Sequence, residues 1–312
     1  MPRPLVSRPS DLIPTTANRA HSVGMPPRLK TAVAAAVKNH SSAVAIFARA
    51  PNPGKAKTRL IPLLGREGAA QFQAALIADA VHKVSSVTFA PGKVTPYLFL
   101  SDFAVDAPSA GDPRSVTLEP HVGSARPPRV PGYAIRRQRG ADLGTRLKHA
   151  FGILLPLHKA AVVIGTDSPL LPPCVLGAAL QELRWCDAVL GPCPDGGYYL
   201  IGFRRATLPV LSRRPHPAAV ASSRTGHQRG TKSSPRAGLF DHVRWGGAFA
   251  FRDTLRNLLS AGLSCSILES YSDVDRPEDV RRLRRQLARN PAMRRLAPAT
   301  WSFITQRRRK NR

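Results

Sequence analysis

Short apolar runs separated by longer stretches of helical spacing organise this chain. Ser42–Ala48 (SAVAIFA), Pro96–Leu100, Tyr133–Arg137 and Ala161–Ile164 read as strands, followed by Asp187–Leu190, Tyr198–Phe203 and Ser264–Leu268. Between them, Glu67–Val84 sets Ala70, Leu76, Ile77, Ala80, Val81 and Val84 on one helical face. Leu143–Leu155 does the same with Leu147, Ala150, Phe151 and Leu154. Pro173–Arg184 opens on Pro172 and Pro173, where a helix tolerates proline, and Phe249–Leu259 and Pro277–Leu287 complete the set. Strands alternating with helices predict an α/β domain with a largely parallel sheet. Two stretches break the pattern. Residues 102–131 are rich in Pro, Gly, Ser and Asp and read as a surface excursion with one short strand near Ser115–Leu118. Residues 204–238 have almost no large apolar side chain after Leu211 and read as a disordered insertion.

Charge changes this picture less than its size suggests. The formal net charge is +28 over 312 residues. Residues 1–42 carry +5, 204–238 carry +8 and 281–312 carry +12, so the remaining segments are near neutral. The excess belongs to solvated appendages, and no specific nucleic-acid partner is expected. The expected organisation is a disordered basic extension over 1–42, a single domain over 43–287 carrying the basic insertion at 204–238, and a basic tail over 288–312. Cys174, Cys186, Cys193 and Cys265 form no C-x-x-C pair, which disfavours zinc-ribbon and thioredoxin chemistry. Cys186 and Cys265 read as small core residues, and a reduced, cytoplasmic setting fits. No apolar run approaches the roughly 20 residues that span a bilayer. A G-x-S-x-G elbow is also missing, so serine-hydrolase chemistry has no support.

The candidate chemistry lies where strands break. AVVIGTDSPLL (Ala161–Leu171) ends a buried strand at Gly165 and exposes Asp167. DAVLGPCPDGGYYLIGF (Asp187–Phe203) does the same with Asp195 in a Gly196-Gly197 turn. Ligands of open α/β sheets bind beyond the carboxyl ends of the strands, so two acids there point to a metal-assisted site for a phosphorylated substrate. Mg²⁺ or Mn²⁺ takes one or two carboxylates together with phosphate oxygens and water, which makes Asp167 a candidate ligand. Asp273 and Asp275 share one side of an extended segment and are candidates to complete the site. Asp195 is the candidate catalytic acid, either as base for an acceptor hydroxyl or as an acceptor-binding group. The two glycines beside it let a ligand or chain approach the backbone. In RAPNPGKAKTRL (Arg49–Leu60) a turn at Pro53 and Gly54 precedes Lys55, Lys57 and Arg59, a set suited to a diphosphate. It is neither a Walker A loop nor a G-x-G-x-x-G fingerprint. In QRGADLGTRL, Gln138 and Arg146 are placed to face a nucleotide, and Asp142 either joins them or caps the helix that follows. Trp245, ahead of Gly246-Gly247, either packs in the core or stacks on a ring or sugar. Glu278 and Asp279 belong to the first turn of a helix, where acids complement the dipole.

FARAPNPGKAKTRL, QRGADLGTRL, VVIGTDSPLL, GPCPDGGYYLIG and YSDVDRPEDV stand in one order. Together they resemble a bacterial family of GT-A-like proteins named for a domain of once-unknown function. Its members are often labelled arsenosugar-biosynthesis glycosyltransferases. The resemblance covers about 43–203 and 239–287. It implies a nucleotide-diphospho-sugar transferase fold, a Rossmann-like three-layer sandwich with a mixed, mostly parallel sheet. It also implies metal-dependent transfer of a glycosyl group from a nucleotide sugar to a small-molecule acceptor. The chain is similar, more distantly, to guanylyltransferases of the phospholactate and molybdenum-cofactor types. That leaves a second expectation, transfer of a nucleotidyl group from an NTP to a small phosphorylated acceptor with release of pyrophosphate. In those relatives the first loop holds the nucleotide and an acid after a central strand binds the metal, sharing it with a late acid pair. Carried over, these are Pro53–Arg59, Asp167, and Asp273 with Asp275. The chain departs from the family in its basic tails, in the excursion at 104–131 and in the insertion. It also has Gly247 where the family commonly has threonine, so no hydroxyl is available there.

Overall fold

Strand β1 (Ser42–Arg49) is central because both of its faces are apolar. Val44, Ile46 and Ala48 enter one core, and Ala43 and Ala45 enter another on the opposite side. The computed structural model describes residues 41–87, 92–101, 130–213 and 238–310. The other strands are β2 (Val94–Ser101), β3 (Ala134–Arg137), β4 (Ala160–Ile164), β5 (Ala188–Pro192), β6 (Tyr198–Arg204) and β7 (Cys265–Ile267). They form one sheet in the order β3-β2-β1-β4-β6-β5-β7. β1 pairs in parallel with β2 and β4, β2 with β3, and β5 with β7, while β6 runs antiparallel to both neighbours. The chain reverses direction across the sheet between β1 and β4, the place where such folds open a crevice at the carboxyl ends of their strands.

Helices α1 (Ile61–Ser85) and α3 (Pro173–Glu182) cover one face, burying Ile77, Ala80, Leu176 and Leu180 against the sheet. Helix α2 (Leu143–Leu154), the short α4 (Leu208–Leu211) and α5 (Ala250–Ser260) cover the other with Leu147, Phe151, Leu211 and Leu258. This is the three-layer α/β sandwich expected from the alternation of elements. The helix expected from Glu67 begins earlier, at Ile61, with a non-helical break at Gly65 (φ 69°, ψ 171°). The four cysteines are free, and Cys193, not Cys186 or Cys265, is the buried one. Among the described residues no helix is long and apolar enough to cross a membrane.

The stretch read as a basic tail is helical and packed. Helices α6 (Pro277–Arg289), α7 (Pro291–Leu296) and α8 (Pro298–Lys310) lie against the outer side of α1. Leu283, Leu287, Ala297 and Trp301 meet Leu64, Phe72 and Leu76, and the Phe72 and Phe303 rings lie 5.6 Å apart. Counting arginines hid this sparse apolar spacing. Asp79 of α1, fully buried, accepts the backbone N–H groups of Ala299 (2.8 Å) and Thr300 (3.0 Å) and so caps α8 from another helix. Asp79→Ala is expected to cost roughly 1–3 kcal/mol by stranding both donors. An unchanged urea midpoint would mean that α8 is held by its apolar contacts alone.

The insertion boundary also shifts. Residues 204–213 complete β6 and form α4, with Thr207 and Leu211 buried, and only 214–237 lie outside the described residues. The extension over 1–40 and the strand expected near Ser115–Leu118 lie outside them as well.

At the amino end of the sheet, buried His158 bridges Ser41 Oγ and Tyr97 Oη, each at 2.8 Å. Burial, and then the nearby Arg205, hold its imidazole below the ordinary 6.5. The unfolded chain therefore takes up this proton first as pH falls, and the folded state loses stability below about 6.5 until His158 itself titrates. Urea denaturation between neutral and mildly acidic pH should show that loss, and His158→Gln should flatten it. An equal slope in the variant would assign the loss to other groups.

Candidate active site

The carboxyl ends of β1, β4, β5 and β7 open on the same edge of the sheet, and a cavity of about 560 Å³ lies there. Each end delivers one part of the candidate site. The chain leaving β1 turns at Gly54 (φ 76°), and Lys57 takes a left-handed conformation (φ 45°, ψ 47°) that sends its side chain inward. Lys57 Nζ lies 2.9 Å from Asp167 Oδ1 after β4 and 2.8 Å from Asp275 Oδ1 after β7. It also donates to Val274 O at 2.8 Å, and the Val274 N–H donates to Asp167 O at 2.8 Å. Lys57 is thus the clasp that joins three loops, with 6% of its side chain exposed. Burial by itself would lower its pKa, but the carboxylates of Asp167 and Asp275 outweigh that and raise it, so the ammonium stays charged. Burial would raise the Asp275 carboxyl, and Lys57 followed by Arg59 hold it below the usual range instead. Arg59 Nη1 lies 3.5 Å from Asp275 Oδ2 and is well exposed.

Among the described residues no cation pairs with Asp273. Burial first, then Asp195, Asp275 and Asp167, push its carboxyl up to about 6. The same burial and acids push the neighbouring Cys193 thiol up to about 12, which leaves it inert as a nucleophile. Asp195 Oδ1 accepts the Gly197 N–H at 2.9 Å, an Asx turn that fixes the carboxylate at the cavity wall. Gly197 lines the cavity, whereas Gly196 (φ 89°) presses its backbone on Ala248 and accepts the Phe251 N–H at 2.9 Å. Trp245 packs as a core residue would, and it also faces the cavity. Its ring packs edge-on to Tyr198 (6.3 Å between centroids) and near Phe240 (6.2 Å), and it lines the cavity.

The remaining candidates fall elsewhere. Pro53, Gly54 and Lys55 line neither this cavity nor the second one, because the 52–56 turn holds the exposed Lys55 outward while Arg49 Nη1 donates to its carbonyl at 3.0 Å. Gln138 and Arg146 line a second cavity of about 470 Å³ with Ser101, Arg137 and Arg139. Gln138 Nε2 donates to Ala48 O (3.0 Å) and Phe99 O (2.9 Å), pinning the ends of β1 and β2. Arg146 Nε donates to Gly140 O at 3.0 Å. For Asp142 the capping reading holds. It accepts the Thr145 N–H at 2.7 Å in a capping box and lines neither cavity.

Arg49, Tyr198, Tyr199 and Gln73 also line the main cavity; the first three lie within the quoted motifs without being candidates there, and Gln73 lies outside them all. Gln73 is buried on α1 and donates to Arg49 O and Thr166 Oγ1, both at 3.3 Å, tying the ends of β1 and β4. Its signal was present in the sequence as a polar residue on the apolar face between Ala70 and Leu76. The donor set offered to a metal is all oxygen, which suits Mg²⁺ or Mn²⁺. Among the described residues no three acids, histidines or cysteines are grouped to hold an ion unaided. The residues fit an ion bound by one or two carboxylates plus substrate phosphate, the usual habit of Mg²⁺.

Among the described residues, the seven-stranded mixed sheet with one antiparallel strand and helices on both faces has the nucleotide-diphospho-sugar transferase fold. A family described as "Uncharacterized protein conserved in bacteria (DUF2064)" matches residues 109–217, a span that includes Asp167 and Asp195. The crystal structure of a "putative nucleotide-diphospho-sugar transferase" from Desulfovibrio desulfuricans G20 is 25% identical, with a TM-score of 0.62 over 85% of this chain and 94% of that one. Both findings agree with the resemblance drawn from the five motifs. CMP:2-keto-3-deoxy-manno-octonic acid synthetase complexed with CTP is 14% identical over 80% of this chain and 99% of that one, with a TM-score of 0.43. Rv0371c from Mycobacterium tuberculosis H37Rv, in complex with manganese, is 15% identical over 78% and 97%, with a TM-score of 0.37. No curated protein matches the chain.

Proposed function

We propose that this protein is a transferase of the nucleotide-diphospho-sugar class, and that it moves a glycosyl group from a nucleotide sugar to a small-molecule acceptor with the help of Mg²⁺ or Mn²⁺. The observation that carries the reading is the Lys57 clasp. It brings Asp167 and Asp275 together in a cavity that also contains Asp195, Asp273 and Arg59. Such a mixture of acids and cations complements a diphosphate with its divalent ion better than either charge alone. The similarity to the Desulfovibrio protein supports the same class. Asp167 and Asp273 would hold the ion, while Asp275 stays paired with Lys57 and Arg59. When bound, the ion neutralises charge on the leaving diphosphate. Arg59 and Arg49 reach the phosphates from the cavity wall, while Lys57 keeps the loops in register. Asp195, fixed by the Gly197 N–H, accepts the proton of the acceptor hydroxyl.

A thermal-shift series with and without Mn²⁺ tests this reading, because a ligand that binds only the folded state raises Tm by mass action. Metal-dependent stabilisation by a nucleoside diphosphate and by one nucleotide sugar is expected. Preference for a nucleoside triphosphate, with pyrophosphate released on turnover, would move the assignment to nucleotidyl transfer.

A further inference from the structure

We propose that the Trp245 side of the main cavity is an acceptor subsite for a body that is uncharged and apolar-faced, an aryl group or the flat face of a sugar ring, and that Gly247 sets its size. This rests on the reading of Asp195 as the acid on the acceptor side. The lining of the cavity divides by chemistry. Arg49, Lys57, Arg59, Asp167, Asp273 and Asp275 make one part, and Leu143, Tyr198, Trp245, Gly246, Gly247 and Ala250 make another without a formal charge. Leu143 is 41% exposed there, a surface that water solvates poorly and an apolar ligand would cover.

The loop 246–250 is registered against the catalytic turn. The Gly196 backbone abuts Ala248, and the Phe251 N–H donates to Gly196 O at 2.9 Å. A ligand lying on Trp245 is therefore held by the same piece of chain that positions Asp195. The nearby arginines are engaged elsewhere. Arg244 and Arg256 both pair with Asp253, at 2.8 and 2.9 Å, and Arg244 lies over the Phe249 ring at 3.9 Å. Neither lines the cavity, so among the described residues this wall presents no cation to an acceptor phosphate. Gly247 adds the specificity argument. Its φ lies outside the left-handed range, and a Cβ built on it would meet nothing within 4 Å. The fold does not require glycine at 247, which lines the cavity and has open space beside it. A larger residue would fill space available to an acceptor.

The test uses tryptophan emission of the full chain titrated with the p-nitrophenyl β-glycosides of glucose, galactose and mannose, whose nitrophenyl group quenches indole on contact. Saturable quenching by at least one of them is expected, with p-nitrophenyl phosphate binding no more tightly. Trp245→Phe should abolish the saturable component, leaving Trp185 and Trp301 as the emitters. Gly247→Leu should weaken the apparent affinity at least ~10-fold, while its Tm and its Mn²⁺-dependent shift with a nucleoside diphosphate stay those of the parent chain. No saturable quenching by any of the three glycosides, unchanged affinity in Gly247→Leu, or tighter binding of p-nitrophenyl phosphate would overturn the proposal. Loss of the nucleotide shift in the parent chain would instead overturn the transferase reading on which it rests, so the two failures are distinguishable.

Discussion

Asp167→Asn is expected to lower the proposed glycosyl transfer by roughly three orders of magnitude, about 4 kcal/mol of transition-state stabilisation, while the protein remains folded. The size follows from removing one anionic oxygen from the proposed ion site, where few protein ligands would be needed and phosphate would supply the rest. The preserved fold follows from the surroundings. The Asp167 side chain is 42% exposed, so an amide there leaves no buried group stranded, and a partly exposed ion pair contributes at most about 1 kcal/mol. Lys57 keeps Asp275 and the Val274 carbonyl, and the Val274 N–H to Asp167 O bond belongs to the backbone. Release of nucleoside diphosphate in the presence of Mn²⁺, measured beside Tm, separates the two effects. Transfer at the parent rate would remove Asp167 from any role in holding the ion.

Gly196→Ala is expected to have the largest effect on stability, a loss of roughly 3–4 kcal/mol. A Cβ at this position would stand 2.2 Å from Ala248 O and 2.5 Å from Ala248 C, and the residue's φ of 89° already excludes most side chains. The obstructing atoms are backbone, so no rotamer change relieves them. The 246–250 loop must move, and Trp245 with it. Urea denaturation should show the loss, and Trp245 emission should shift as its packing on Tyr198 loosens. Gly247→Ala is the matched control. It has an ordinary φ and open space, so it should stay within about 0.5 kcal/mol of the parent chain. Equal stability of the two variants would mean that the contact with Ala248 is slack.

The acids were legible because each announces itself locally. Asp167 and Asp195 follow buried strands that end at glycine or proline, and Asp273 and Asp275 alternate in an extended run, so neighbours alone define them. Lys57 is legible as a cation of the first loop, but not its pairing with Asp167 and Asp275. Its carboxylates lie in loops after β4 and β7, far along the chain, and no local pattern links them. Gln138 was noticed for its motif, yet it spends its amide on the carbonyls of Ala48 and Phe99. The helix from Pro277 is legible in the sequence, but the two that follow from 291 are not, because a count of arginines says nothing about the other side of a helix, where Ala297 and Trp301 find α1.

The sequence by itself determined the class of fold, the succession of its strands and of the helices up to Pro277–Arg289, and the acids that follow the strands as candidates. Periodicity and turn chemistry are short-range properties, and they are written in consecutive residues. The tertiary structure alone decided which charges neutralise one another, which glycine is held by a backbone contact and which stands in open space. It alone decided which side chains from distant loops line one cavity. Those outcomes depend on distances between loops that meet only when the sheet forms, and Coulomb attraction and steric overlap act through those distances rather than through separation along the chain.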